Sequence, residues 1–351
     1  MNTDAQGPNT GRRCTYLLPI RRVRISETEI ADFSRYFRRL ASAGCEVLVV
    51  DGSPPAVFIK HERAWRGLCR HVTVDPQYKY LNGKVNGIHT GVALAGSESI
   101  IVADDDIRYT PQDIARMCTL LDRHEMVRPQ NFFSPLPWWA RLEAARMLLN
   151  RAVLRTGDYP GTCGFRKSAM LRVGHYDGDV LFDNEEMVRH FALCGAKICS
   201  ALDFLILKRP PTFRKWLEQR PRQAYEDFVM HAKTAFFLAL LPVGFGLELF
   251  FGWKTVLAYV VVLITGSALL ALRGRRAGAH RVFPATLSLY APLWVLERSI
   301  SVYWALYWRI IYGGYPFGDK LLSKGTGRAW VAGGRIPLRA VSQTADRRGD
   351  E

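Results

Sequence analysis

From Cys14 to about Ile206, short apolar runs alternate with stretches whose apolar positions recur at helical spacing. Residues 16–20, 46–50 and 100–102 read as buried strands, and residues 27–43 and 86–95 as the helices that connect them. Strands alternating with helices predict a mainly parallel sheet covered on both faces. Ligands on such sheets bind outside the carboxyl ends of the strands, and Asp51 and Asp104 both fall at such ends.

The pattern changes after Ile206. Arg209-Pro210-Pro211 is a break, residues 212–227 are polar and basic, and residues 234–252 and 255–272 are almost wholly apolar. Each apolar run matches the ~20 residues needed to cross a bilayer. Pro242, Gly244, Gly246 and Glu248 interrupt the first, which neighbouring helices tolerate at membrane depth. The competing reading is a pair of buried core helices. A third hydrophobic region, 282–313, holds Glu297 and Arg298 at its centre and reads as an interfacial or re-entrant segment. The expected organisation is a disordered N-terminus (1–12), a catalytic domain (13–208), an amphipathic basic segment (209–231), a transmembrane hairpin (232–272), the third hydrophobic segment and a basic tail (314–351).

Charge narrows the partners. The 351-residue chain carries a formal net charge of +16. Nucleic acid, anionic lipid and an anionic substrate all answer such an excess. The basic residues cluster before, between and after the apolar runs rather than in one stretch, which favours a membrane surface and explains more than nucleic-acid binding does. Arg273-Gly274-Arg275-Arg276 follows the second run, where a hairpin returns to the cytoplasm under the positive-inside rule. No apolar stretch occurs in residues 1–11, so the first domain is expected to be cytoplasmic in an inner-membrane, multi-pass protein. The seven cysteines show no metal-ligand spacing and read as reduced thiols.

The candidate chemistry centres on Asp104-Asp105-Asp106, three carboxylates closing the apolar run 99–102. A strand end of this kind suits Mg²⁺ or Mn²⁺, hard ions that take carboxylate oxygens and keep positions for phosphate or water. An acidic turn is the plain alternative. Asp51 is either a nucleoside contact or an Asx-type turn residue before Gly-Ser. Lys84 and Asn86 sit in a Gly/Asn-rich stretch just upstream, placed to neutralise a diphosphate or simply solvated. Residues 160–167 form a Gly-rich turn that shapes an acceptor pocket or is ordinary loop. Asp183-Asn184-Glu185-Glu186 opens an amphipathic helix, a good start on electrostatic grounds alone and also a source of a general base. Gln219 and Arg222 precede the first apolar run, as a diphosphate clamp or as a lipid-headgroup anchor.

Together these positions resemble membrane-bound inverting glycosyltransferases of family 2 type, whose pattern is an Asp after the second strand, a DxD, a Glu-Asp pair opening a helix, and QxxRW before membrane helices. The stretches Asn82–Ile88, Ile101–Arg108 and Trp294–Ser299 with Val302-Tyr303 are similar to those of ceramide glucosyltransferases. The resemblance implies an α/β fold: a GT-A (Rossmann-like nucleotide-diphospho-sugar transferase) domain followed by C-terminal transmembrane helices. It implies a UDP-sugar donor, a divalent metal on Asp104 and Asp106, donor contacts from Asp51, Lys84, Asn86 and Asp105, and a membrane lipid acceptor. Gln219 and Arg222 match the Gln and Arg of QxxRW.

Two departures stand out. Gln223 replaces the tryptophan, leaving an acceptor-stacking role to Trp216 or Tyr225. Asn184 occupies the position of the catalytic Asp, so Asp183, with Glu186 second, is expected to serve as base. The alternatives are a processive polysaccharide synthase, for which two or three membrane segments are few, and a catalytically inactive, membrane-anchored nucleotide-sugar-binding protein.

Overall fold

A computed structural model describes residues 14–317 and 320–327. The expected 1–12 segment and most of the basic tail lie outside the described residues. The chain folds as an α/β domain followed by long apolar helices.

The strands are β1 (Cys14–Ile20), β2 (Cys45–Asp51), β3 (Arg70–Thr73), β4 (Ser99–Ala103), β5 (Ile107–Arg108), β6 (Met126–Phe133), β7 (Thr162–Arg166) and β8 (Ile198–Lys208). They form one sheet in the order β3-β2-β1-β4-β7-β6-β8-β5. β1, β2, β3 and β4 are mutually parallel, whereas β7 runs antiparallel to both of its neighbours, β4 and β6. Four of the seven strand pairings are parallel, so the sheet is mainly parallel as the apolar pattern predicts, with antiparallel pairing confined to β7 and β5. The expected central strands are buried along their length, as strands covered on both faces must be.

The helices of this domain are α1 (Glu27–Ser42), α2 (Pro55–Trp65), α3 (Gly83–Leu94), α4 (Pro111–Leu121), α5 (Trp138–Val153), α6 (Lys167–Val173) and α7 (Asp183–Leu193). Ser26 with Glu29 caps α1, and Thr110 with Asp113 caps α4, each as a reciprocal capping box. One apolar core packs α1 and α4 on one sheet face; a second packs α3, α6 and α7 on the other. α3 lies very close to β1: a Cβ at Gly91 would fall 2.1 Å from Leu17, and one at Gly87 would fall 2.9 Å from Pro19. These two glycines let the helix that carries Lys84 and Asn86 settle against the strand ends.

After β8 come α8 (Phe213–Glu226), α9 (His231–Phe251), α10 (Trp253–Gly274) and α11 (Ala291–Ile311), then a hairpin of β9 (Tyr315–Phe317) and β10 (Lys320–Leu322). α9 and α10 are each long and apolar enough to cross a membrane. Phe245, Phe250, Phe251, Trp253 and Val262 are more than 60% exposed, so the reading of these helices as buried core does not fit. α11 is one continuous helix that exposes Leu293, Ile300, Ile310 and Ile311 while burying Trp294, Arg298 and Val302 against the rest of the protein. α5 joins the two halves: its Ala144, Ala145 and Leu148 share a core with Phe237, Ala271 and Trp294 of α9, α10 and α11. Its Arg151 donates to the Gly274 and Arg276 carbonyls, which caps the end of α10. All seven cysteines are free.

Candidate active site

The carboxyl ends of β1, β2 and β4 open into a cleft of about 740 Å³ that runs down to α5, α8 and α11. Asp104, Asp105 and Asp106 form its wall at the end of β4. The turn they occupy is pinned by backbone: Asp104 N–H donates to Gly161 O (3.1 Å), and Arg209 N–H donates to Asp106 O (2.8 Å).

Three cations face the three carboxylates. Lys84 Nζ lies 2.5 Å from Asp104, Lys208 Nζ lies 3.5 Å from Asp104 and 3.6 Å from Asp106, and Arg22 pairs with Asp105. Burial pushes the Asp104 carboxyl up, but Lys84 and Lys208 outweigh burial and hold it below the usual carboxylate range. Burial also pushes Asp106 up, and there the neighbouring Asp104 and Asp105 add to it, so its carboxyl stays above the usual range despite Lys208. Asp106 Oδ1 is buried without a hydrogen-bond partner. A carboxylate set with an unsatisfied buried oxygen, crowded by like charge and open to a cleft, fits a divalent cation of the Mg²⁺ or Mn²⁺ type.

Lys84 also links this wall to the start of α7. Its ammonium lies 2.6 Å from Asp183 and donates to Asn184 Oδ1 at 3.0 Å. Burial works against its charge, but Asp104 and Asp183 dominate and raise its pKa. Asn184 donates its Nδ2 hydrogen to Pro160 O at 3.1 Å, so both ends of the amide are used. Glu186 is turned to other work: it is 1% exposed, pairs with Arg189 and accepts from Gly327 N–H at 2.8 Å. Together with bonds from Leu181 N–H to Lys324 O and Phe182 N–H to Gly325 O, this straps the chain after β10 across the loop leading to Asp183.

Asn86 lines the cleft and braces it by exchanging hydrogen bonds with the Tyr80 backbone, at 2.9 and 3.0 Å. Asp51, the expected nucleoside contact, is 2% exposed and lies outside the lining, which here is formed by Val50 and Gly52. Its Oδ2 meets His61 Nδ1 at 2.5 Å and His71 Nε2 at 3.0 Å, and its Oδ1 accepts from Ser53 N–H at 2.8 Å. These contacts hold its carboxyl below the usual range although burial opposes them. Asp51, His61 and His71 also bring three potential ligand atoms within 4.8 Å. The hydrogen bonds to both imidazoles satisfy that carboxylate without a cation.

The far end of the cleft is lined from α8 and α11. Gln219, Arg222 and Trp216 face it; Tyr225 does not, since its hydroxyl donates to Ser323 O. Arg222 donates to Glu226 (2.9 Å) and to Leu181 O (3.0 Å), with Phe317 beneath its guanidinium. Gln223 donates to Glu143 at 3.2 Å, in a buried network that also holds Arg146, Asp158 and Arg220. Arg298 of α11 ends this network at Asp227, 3.3 Å away.

Lys208, Glu226 and Arg298 were not legible as cleft residues in the sequence. Lys208 closes an ordinary apolar strand, and Arg298 sits inside a hydrophobic segment. Only Glu226 left a signal, being four residues after Arg222 and so on the same helix face.

No protein-family model matches the chain, and no curated protein sequence matches it. Among solved structures it is similar to a mannosyltransferase from Pyrobaculum calidifontis in complex with GDP-Man and Mn²⁺, at 18% identity over 85% of this chain and 88% of that one, with a TM-score of 0.49. It is also similar to glucosyl-3-phosphoglycerate synthase from Mycobacterium tuberculosis in complex with Mn²⁺, UDP and glucosyl-3-phosphoglycerate, at 15% identity over 57% and 71% of the two chains, with a TM-score of 0.38.

Proposed function

We propose that the chain is a membrane glycosyltransferase that moves a sugar from a nucleotide-sugar donor, of UDP type, to a lipid acceptor with inversion at the anomeric carbon. The observation that carries this reading is one cleft holding both the Asp104–Asp106 wall with its lysines and the basic end of α8, next to helices whose apolar surface has no protein partner among the described residues.

The nucleoside lies against Gly52 and Val74, with Asp51 holding the Gly52-Ser53 turn rather than touching the base. Asp104 and Asp106 are the residues that would hold Mg²⁺ or Mn²⁺, which when bound neutralises the diphosphate as charge develops on it. Lys84 and Lys208 supply further positive charge at the same wall, and Arg222 with Gln219 reaches the diphosphate from α8. Fixing donor and acceptor in line converts a bimolecular step into an effectively unimolecular one. Helices α9 and α10 anchor the domain in the inner membrane, so an acceptor headgroup enters from the α8–α11 side.

The test uses full-length protein in detergent with radiolabelled UDP- or GDP-sugars, a lipid extract and Mn²⁺. Labelled lipid that disappears in Asp104→Asn supports the reading. No labelled lipid with any common donor, and no effect of Asp104→Asn on donor binding, overturns it. The Asn184 amide, bonded at both ends, favours a second reading, a binding protein without transfer; donor binding with neither transfer nor hydrolysis would support that one.

A further inference from the structure

Transfer to a hydroxyl requires a base, and the first turn of α7 offers none that is free. Asp183 is paired with Lys84 at 2.6 Å, position 184 is an amide, and Glu185 meets Arg128 at 3.0 Å. Glu186 is buried between Arg189 and the Gly327 amide.

We propose, on the reading above, that the general base is Glu226, the last residue of α8, which lines the cleft beside Asp183. Its Oε1 accepts from Arg222 Nε at 2.9 Å, and Arg222 is the one cation within 4 Å of it among the described residues. The carboxylate stands at the negative end of the α8 dipole, which disfavours its charge and strengthens it as a proton acceptor. The titratable groups facing it are Arg222 on its own helix, Asp227 after it, Asp183 from α7 and Tyr315 from β9. Burial raises its pKa, and Asp227 and Asp183 add to that against Arg222.

The arrangement couples the two substrates. Arg222 is also the residue placed to meet the diphosphate, so a guanidinium that turns to the donor leaves Glu226 unpaired and more basic. The acceptor oxygen then forms its bond to the anomeric carbon as the carbon–oxygen bond to the diphosphate breaks. The hydroxyl proton goes to Glu226, and the electron pair leaves with the nucleoside diphosphate.

The experiment compares wild type, Glu226→Gln, Glu226→Ala and Asp183→Asn, full-length in detergent, with one labelled donor and the lipid extract. Glu226→Gln is expected to lower kcat at least 100-fold with donor Kd, measured by calorimetry, within threefold of wild type. The acid limb of the kcat–pH profile disappears, and added formate partly restores Glu226→Ala. A Glu226→Gln variant within threefold of wild-type kcat, an acid limb that survives in it, or an acid limb removed by Asp183→Asn alone overturns the assignment. Wild type that transfers to neither lipid nor water overturns the transferase reading and this assignment with it.

Discussion

Lys84 Nζ sits 2.5 Å from Asp104 Oδ1, so a lysine occupies the face of the carboxylate that a divalent cation would approach. The same ammonium reaches Asp183 on a different element, which ties the donor wall to the start of α7.

Replacing Lys84 by methionine therefore has two effects of opposite sign. Mn²⁺ binding without nucleotide should tighten several-fold, because the competing cation is gone. The kcat/KM for transfer should fall about 100-fold, or about 3 kcal/mol, as Asp104 and Asp183 lose the charge between them. Manganese binding by electron paramagnetic resonance and initial rates read the two separately; looser Mn²⁺ binding would show that Lys84 supports the cation rather than competing with it.

The three aspartates should not be equivalent. Asp105 is engaged by Arg22, whereas Lys84 and Lys208 pair with Asp104 and Asp106. Asp104→Asn and Asp106→Asn are expected to abolish metal-dependent donor binding, and EDTA should do the same to wild type, reversed by excess Mn²⁺. Asp105→Asn should stay within about tenfold of wild type. Calorimetric titration of donor with and without Mn²⁺ distinguishes them, and equal losses at all three positions would count against the Asp104–Asp106 pair.

How far the sequence reached depends on how local each signal is. The strand ends at Asp51 and Asp104 are set by short apolar runs, so their place on one sheet edge was readable. That β7 inserts antiparallel between β4 and β6 was not, because pairing between strands 60 residues apart leaves no local pattern. Asp51 shows the same limit: its position was right, yet His61 and His71, ten and twenty residues on, decide where its carboxylate points. Glu186 read as a candidate base because helix-start chemistry and catalysis use the same residue types. Its partners Arg189 and Gly327 come from the next turn and from the far end of the chain. The apolar helices were legible because length and composition alone define them.

Asn184→Asp restores the carboxylate found at this position in the resembled family, yet activity should fall rather than rise. The amide donates to Pro160 O at 3.1 Å, and an aspartate there would set two acceptors against each other while competing with Asp183 for Lys84. A loss of about 1–3 kcal/mol in stability is expected, seen as a lower thermal midpoint. A rate gain above tenfold would mean that the missing base lies at position 184 after all.

His89 is buried on α3 with its Nε2 unsatisfied, and burial foremost, then the charges of His175 and His190, lower its pKa to about 3. Since the ordinary value is 6.5, the unfolded chain binds the extra proton between pH 6.5 and 3. Stability from this group is thus complete above pH 6.5 and is lost as pH falls toward 3, by a maximum of about 4–5 kcal/mol. Thermal midpoints from pH 8 to 4 should drop less steeply in His89→Gln than in wild type; parallel curves would exclude His89 as the titrating group.

Gly274, at the end of α10, tests whether the long helices and the α/β domain are one folded unit. A Cβ there would lie 2.0 Å from the backbone oxygen of Leu148 on α5, a contact that no rotamer change relieves. The Gly274 carbonyl also accepts from Arg151, which is 1% exposed and has its other donors on Gln130, Leu202 and Arg276. Pushing α10 off α5 would strand that guanidinium as a buried charge with lost acceptors. Gly274→Val should therefore cost at least the 1–3 kcal/mol typical of overpacking, and more through Arg151. Limited proteolysis in detergent should show the α/β domain of the variant cleaved faster than that of wild type. If the domain stays as resistant as wild type while only the helices become labile, the two parts fold independently and the α5–α10 contact is a docking surface rather than shared core.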